Sequence, residues 1–325
     1  MKNTISVIGA GRWGRNHIRT LFELGLLGAV IDSHLESINW VKATYPTIPV
    51  FSSLSESGAL DFDGYTIATP VEHHFSIARE LLLNGKHVLV EKPITLDVVE
   101  AQELVTLAAT NNCHLMVGHL LLFHPAFKRI KELISSGQLG KLQYMYSNRL
   151  NLGTVRTEEN SLWSFAPHDF SLFQYFSQAQ PINIASHGGA FLQPHIHDTT
   201  MTIVRYPDNV VGHIFVSWLH PFKEHRFVAI GSKGMLVYED SSEQKDLLFY
   251  EKGIDWVNGE PIKREGATNV ISFGDAQPLR DELTHFHQCI VGKESNTIID
   301  GQKGVDVIDL LTKAQACLQP TYNHA

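Results

Sequence analysis

The stretch ISVIGAGRWGRNHIRTLFELGLLGAVID, residues 5–32, decides the fold. A short apolar run, ISVIG (5–9), ends in glycine. Residues 12–27 then carry Trp13, Leu21, Leu24 and Leu27 at helical spacing, and GAVID (28–32) is a second apolar run. Gly9, Gly11 and Gly14 form a GxGxxG between the first strand and the helix, the context that gives the pattern its meaning. The first glycine permits a tight turn, the second lets a diphosphate approach the backbone, and the third lets helix and strand pack closely. The amides at the helix N-terminus face the anion, and Arg12 and Trp13 lie within the same loop. Asp32 ends the second strand, where a carboxylate bonds both hydroxyls of an adenosine ribose and repels a 2′-phosphate. Neither Ser33 nor His34 supplies an arginine to welcome that phosphate. The loop predicts NAD in preference to NADP; FAD is the competitor, since it uses the same fingerprint.

Outward from this loop the pattern repeats. GYTIATP (64–70), HVLV (87–90) and HLMVGH (114–119) read as strands. Helices are expected around 36–45, over 74–85 with Gly85 as the stop, and over 97–111. Strands alternating with helices of this length imply parallel βαβ units, a Rossmann-type domain over residues 1–120. Beyond residue 120 the pattern changes. Residues 123–140 read as one helix with a glycine stop, and the strands that follow are longer and alternate polar with apolar. Pro207-Asp208-Asn209 marks a turn between two of them, and residues 279–292 and 304–318 close the chain as helices. This predicts an α+β domain over 121–325, built on a largely antiparallel open sheet with one face wet or covered by a partner. NVVGHIFVSW carries apolar residues on both faces, so a homodimer or homotetramer paired through this sheet is expected.

The composition bounds the classes. With 325 residues, 43% hydrophobic and 18% charged, the chain suits two globular domains. A net charge of −8 argues against broad nucleic-acid binding but not against a local anion pocket. Cys113, Cys289 and Cys317 are far apart and form no CxxC, which fits free thiols in a reducing compartment. No leader-like segment opens the sequence, and no apolar run reaches the ~18 residues of a membrane span. A soluble, cytoplasmic protein is the expectation.

HVLVEKPIT (87–95) raises the chemical question. A buried strand ends in Glu91 and Lys92, and charges cost free energy wherever they are desolvated. In a parallel open sheet, ligands bind beyond the C-terminal strand ends. There ATPVEHH (68–74), VEKP (90–93) and VGH (117–119) gather with the glycine loop. Pro93 restricts Lys92 to extended backbone, which would aim the lysine at the nicotinamide end of the cofactor.

Together GAGRWG, ATPVEHH with His74, and VEKP resemble the Gfo/Idh/MocA oxidoreductases, the glucose–fructose oxidoreductase and inositol 2-dehydrogenase family. The resemblance runs over nearly the whole chain, including PLRDELTHFHQCI near its end. It implies that Lys92 contacts a sugar or polyol hydroxyl and the nicotinamide ribose. Glu91 would help hold that ribose, and Thr69, Pro70 and His74 would belong to the cofactor site.

Alcohol oxidation also needs a proton acceptor, and histidine has the suitable pKa. WSFAPHDFSLFQYF (163–176) puts His168 and Asp169 after a proline, at an expected helix N-terminus. The resemblance implies that His168 is the base. Many members carry an aspartate four residues earlier, where this chain has Ser164. Among 18 histidines, His119 and His124 flank LLLF and are candidates to line the same cleft. HIHDTT (195–200) and HFH (285–287) lack a third ligand or a common face, so no metal is assigned.

The polar segment 146–170 carries Asn148, Arg149, Arg156 and Trp163. Arginine suits bidentate phosphate recognition, so these residues, with His119 and Asp169, are the expected substrate contacts. The resemblance extends to the branch that oxidises nucleotide-activated amino sugars, UDP-N-acetylglucosamine 3-dehydrogenases among them. The expectation is an NAD-dependent dehydrogenase of a sugar hydroxyl. A free sugar or polyol as substrate, and a non-catalytic NAD(P)-binding regulator of the same fold, are the alternatives.

Overall fold

The computed structural model describes residues 4–318. Residues 1–3 and 319–325, the outer ends of the two expected domains, lie outside the described residues. The chain forms two compact units. The first runs to Phe123 and takes back Gln277–Asp309; the second holds His124–Ala276 and the chain from Leu310.

The first unit opens with β1 (Ile5–Ile8), α1 (Gly14–Glu23), β2 (Leu27–Ile31), α2 (Leu35–Thr44), β3 (Val50–Phe51) and β4 (Gly64–Ile67). It continues with α3 (His74–Leu83), β5 (His87–Val90), α4 (Val98–Thr110) and β6 (Leu115–Val117). The strands lie in the order β3-β2-β1-β4-β5-β6, and every pair is parallel. Ile5, Val7, Val88, Leu89, Val90 and Val117 are wholly buried, because both faces of a parallel sheet are covered. The strand order reverses between β1 and β4, the switch point at which such sheets bind ligands. Gly9 and Ala68 form its two lips.

The second unit begins with α5 (Pro125–Ser135), whose first turn is capped by His124: its Nδ1 accepts from the Ala126 amide at 3.2 Å. Then come β7 (Leu142–Leu150), α6 (Ser161–Ser177), β8 (Asn183–Gly189), β9 (Thr199–Arg205), β10 (Val211–Ser217), β11 (Glu224–Gly231) and β12 (Met235–Glu239). Next are β13 (Leu247–Tyr250), a separate hairpin of β14 (Gly253–Val257) and β15 (Glu260–Arg264), and β16 (Thr268–Ile271). Eight strands form one sheet, β16-β13-β12-β11-β7-β10-β9-β8. All its pairs are antiparallel except β7 with β10. The chain leaves β7 through α6 before the β8–β9–β10 meander, so β10 returns beside β7 in the same direction.

Helix α6 differs from the sequence expectation. It starts at Ser161, not near His168. Asn160 caps it, its Oδ1 accepting from the Trp163 amide at 3.2 Å, and the Ser161 amide donates to the His197 carbonyl at 2.9 Å. Pro167 is inside the helix. The missing donor costs one helical bond there, while the buried Leu162, Ala166, Phe170 and Phe173 on the same helix hold it to the sheet. His168 therefore sits mid-helix.

The segment that returns to the first unit carries α7 (Pro278–Ile290) and the start of α8 (Gly301–Cys317). Phe286 and Ile290 close on Gly64 and Ile5: a Cβ on Gly64 would lie 2.5 Å from Ile290 Cδ1. The Val117 amide donates to the Ile299 carbonyl at 3.0 Å, so this segment covers the edge of β6. Among the described residues no helix is long and apolar enough to cross a membrane.

The turn that supports the start of α6 depends on Asp198. Its buried carboxylate accepts from the Phe191 and Leu192 amides at 2.6 and 2.9 Å and from Trp218 Nε1 at 2.7 Å. Asp198→Ala leaves these donors unpaired, and the expected loss is about 2–5 kcal/mol, measured as a lower denaturant midpoint.

Candidate active site

The glycine loop is built as its chemistry requires. Gly9 has φ +94°, and a Cβ there would lie 2.8 Å from the Ala68 carbonyl oxygen. A Cβ on Gly14 would lie 1.9 Å from the Gly9 carbonyl oxygen. A Cβ on Gly11 would meet nothing within 4 Å, so the middle of the loop faces open space at the head of α1. Residues Gly9, Gly11, Asp32, His34, Thr69 and Pro70 share a cleft of about 560 Å³. Asp32 Oδ2 accepts from the Ala10 amide at 2.6 Å and Oδ1 from the His34 amide at 2.8 Å. Its carboxylate is thereby held at the cleft wall with acceptor capacity remaining for hydroxyls. These features fit a dinucleotide: a bare anion cradle, a cleft beside it and a fixed carboxylate at the ribose position.

Glu91 is the hub of the same edge. It is 6% exposed. Trp13 Nε1 donates to its Oε1 at 2.5 Å, and His17 Nε2 lies 2.9 Å from that oxygen. The Lys92 amide donates to Oε2 at 3.1 Å. Burial opposes ionisation, but the His17 bond, the Trp13 bond and the Lys92 charge together hold the carboxyl below its usual range. Trp13 and His17 are four apart on one face of α1, so Glu91 ties the end of β5 to the helix that carries the glycine loop. Lys92 follows Glu91, is half-buried, and is joined to Pro93 by a cis peptide bond.

Other expected cofactor residues do different work. His74 is buried; its Nδ1 is 2.8 Å from the Pro93 carbonyl and its Nε2 3.0 Å from the Thr69 carbonyl. It braces two loops of the edge, and burial pushes its pKa down. Arg12 and Trp13 are exposed. His119 is wholly buried after β6, with neither ring nitrogen bonded. Burial lowers its pKa to about 4, partly offset by Glu91. A neutral imidazole with two unpaired nitrogens beside Glu91 and Lys92 is poised for a polar ligand.

In the second unit, Asp169 is fully buried and its carboxylate is engaged by β7. Arg149 donates to it twice, from Nε at 3.1 Å and from a terminal nitrogen at 3.0 Å, and Ser147 Oγ donates at 2.6 Å. This buried fork fastens α6 to β7, one residue from His168. It takes up the Nε and one terminal nitrogen of Arg149. Asn148 donates to Glu224 at 2.8 Å, Arg156 is a surface ion pair with Glu159 at 3.0 Å, and Trp163 is half-buried in the first turn of α6. Ser164 and His168 are four apart on α6 and share a face. His124 is committed to its cap and to Tyr238, whose hydroxyl is 3.2 Å from Nε2. Among the described residues no three His, Cys, Asp or Glu side chains gather as a metal site needs.

Sequence reasoning missed His17 and Asn160. His17 could have been found from its i+4 spacing to Trp13 on the helix after the glycine loop. Asn160 precedes an apolar helix as a cap residue should, but Pro167 hid the helix it starts.

Comparison with known proteins agrees with this architecture. Residues 4–119 match the family model described as "Oxidoreductase family, NAD-binding Rossmann fold", and residues 127–237 match "GFO/IDH/MocA C-terminal domain". A UDP-N-acetylglucosamine 3-dehydrogenase of Acidithiobacillus ferrooxidans is 27% identical over 190 residues, 57% of each chain. The chain thus spans a little over half the length of that relative. A scyllo-inositol 2-dehydrogenase (NAD(+)) of Bacillus subtilis is 23% identical over 91% of this chain and 88% of its own. Among solved structures, the same A. ferrooxidans dehydrogenase, GnnA, superposes with a TM-score of 0.85 at 23% identity, covering 97% of both chains. WlbA dehydrogenase of Bordetella pertussis, solved with NADH and UDP-GlcNAcA, superposes at 0.78 and 19% identity over 98% of this chain and 96% of its own.

Two outcomes follow from these side chains. A histidine whose pKa falls on folding binds fewer protons folded than unfolded, so stability drops as pH falls from 6.5 towards 4. His119→Leu should flatten the loss of unfolding free energy across that window, by an amount on the order of 3 kcal/mol, read from denaturant unfolding at each pH. Arg149→Met strands the buried Asp169 charge and should cost about 3–5 kcal/mol of unfolding free energy.

Proposed function

The chain belongs to the Gfo/Idh/MocA oxidoreductase family, and from that premise we propose that it is an NAD-dependent dehydrogenase of a nucleotide-activated amino sugar, oxidising a ring hydroxyl to a ketone. The observation that carries the reading is Lys92, held at the end of β5 by the Glu91 clamp on the glycine-loop helix. NAD is favoured over NADP because Asp32 presents a fixed carboxylate to the cleft where a 2′-phosphate would lie. The nicotinamide, when bound, supplies the hydride acceptor. The Gly11 loop and the head of α1 bind the diphosphate, and Asp32 takes the adenosine ribose. Lys92 donates a hydrogen bond to the reacting hydroxyl and stabilises charge developing on its oxygen. His168 accepts the hydroxyl proton, from a helix that the Arg149–Asp169 fork keeps in place. His119 offers a neutral donor or acceptor to a substrate hydroxyl.

The nucleotide sugar is supported by the likeness to a UDP-N-acetylglucosamine 3-dehydrogenase. The inositol dehydrogenase among the relatives favours a second reading, a free polyol substrate. The two separate by kinetics with NAD+ and either UDP-N-acetylglucosamine or an inositol. On the proposed reading only the first gives turnover, and free UDP inhibits it. Lys92→Ala and His168→Ala should each lower kcat by about 10²–10⁴-fold with NAD+ affinity unchanged within threefold. Unchanged turnover in both would sink the assignment.

A second copy of the chain is the proposed partner of the open sheet face. Strand β9 alternates buried Thr200, Thr202 and Val204 with Met201 and Ile203, which are 45% and 40% exposed. Phe215 pairs with Met201 across the ladder, and Tyr146 stacks on His213 with ring centroids 5.1 Å apart. An apolar face of this kind needs a cover, and the same face of a second copy supplies it by two-fold symmetry. Phe215→Glu should shift the sedimentation coefficient to that of a monomer; an unchanged value would remove this face as the interface.

A further inference from the structure

Helix α7 carries a second carboxyl that the cofactor edge does not explain. Glu282 is wholly buried, and neither of its oxygens has a hydrogen-bond partner in the protein. Its position follows from its neighbours. Phe286 and Ile290, further along α7, lie against Gly64 and Ile5 at the starts of β4 and β1. Eight residues of helix rise about 12 Å, roughly the length of β1. Glu282 is thereby carried towards the C-terminal strand ends, where Glu91 sits. Helix α7 packs on α1, and the two share a surface groove lined by Trp13, Asn16, Leu279 and Arg280. Among the wholly buried residues of α1 the one with a polar side chain is His17, whose Nε2 faces Glu91 while its Nδ1 is unpaired.

Two buried carboxyls and one imidazole cannot hold two negative charges within reach of each other. The donors decide which one ionises. Glu91 receives Trp13, His17 and the Lys92 amide; Glu282 receives none. We propose that Glu282 is a protonated carboxylic acid and the third member of a buried chain. In this chain its O–H reaches His17 Nδ1 through one water, since the two groups make no direct bond, and His17 Nε2–H serves Glu91. One proton placed there gives one unpaired carboxyl oxygen and the unpaired ring nitrogen a common hydrogen-bonded path. It fixes the His17 ring with Nε2–H towards Glu91 and leaves Glu91 as the ionised carboxyl beside Lys92. Glu282 is then a positioning residue: it acts through His17 on the clamp that holds the glycine loop and Lys92.

Other groups near the chain agree with this order. From α1 comes His17, from the turn after β5 come Glu91 and Lys92, and from the turn after β6 comes neutral His119. His285, on α7 itself, is engaged with Glu294 at 2.5 Å. Burial, then the Glu91 charge, pushes the Glu282 pKa well above 4.5. The folded state therefore binds a proton that the unfolded state has lost, and stability falls as pH climbs above about 4.5 towards the folded value.

The test uses the full chain and three readouts. The infrared spectrum of the protein alone at pH 8 should show a protonated-carboxyl band that Glu282→Gln removes. The Gln variant keeps a donor for His17, so its NAD+ Kd should stay within threefold of wild type at pH 7.5, whereas Glu282→Leu should raise Kd about tenfold. At pH 9 the Gln variant should have the higher thermal midpoint. An identical infrared spectrum in wild type and the Gln variant overturns the proposal, as do equal Kd values for the Gln and Leu variants. The infrared band needs neither cofactor nor substrate, so its absence would tell against the chain and not against the dehydrogenase reading.

Discussion

Glu91 is a carboxylate buried where nothing but protein can solvate it, and the cofactor edge of the first unit is organised around that fact. A buried charge is tolerated only with donors around it. The donors come from two places: the helix after the glycine loop, through Trp13 and His17, and the backbone of the next residue, Lys92. Strand end, glycine loop and lysine are thus one hydrogen-bonded assembly. Loss of the carboxylate would release all three, so its cost should appear in the geometry of the loop as well as in stability.

The second unit repeats the device with a different purpose. Asp169 is also fully buried, and Arg149 and Ser147 satisfy it. This pair joins the middle of α6 to β7. Because Pro167 removes one helical bond in the same turn, the fork supplies a fixed point where the helix is weakest. His168 follows that proline, so a residue expected to take a proton stands on the pinned turn of the helix.

Much of this was legible in the sequence. The parallel sheet followed from apolar runs of four or five residues ending in glycine or proline. The glycine loop and Asp32 followed from their order along the chain. The Lys92 motif was legible because a charged pair at the end of a buried strand has few structural excuses. What escaped has physical reasons. A proline inside a helix mimics a helix start, so α6 appeared seven residues late. Buried pairing cannot be read from composition, so the bonds between Arg149 and Asp169 were not visible in the sequence. The return of Gln277–Asp309 to the first unit depends on the packing of Phe286 and Ile290 on Gly64 and Ile5, which no local pattern announces.

The central claim is that hydride leaves a sugar carbon for a nicotinamide at the edge that Glu91 and Lys92 organise. The most direct measurement is a single turnover of UDP-N-acetylglucosamine deuterated at C3, with enzyme in excess and NAD+ present, followed by NADH absorbance and mass. The account predicts slower NADH formation than with the protiated sugar, deuterium in the reduced cofactor, and loss of both signals in Lys92→Ala. Reduced cofactor without deuterium would place the chemistry at another carbon. No reduced cofactor with any nucleotide sugar, while NAD+ still binds, would contradict the account.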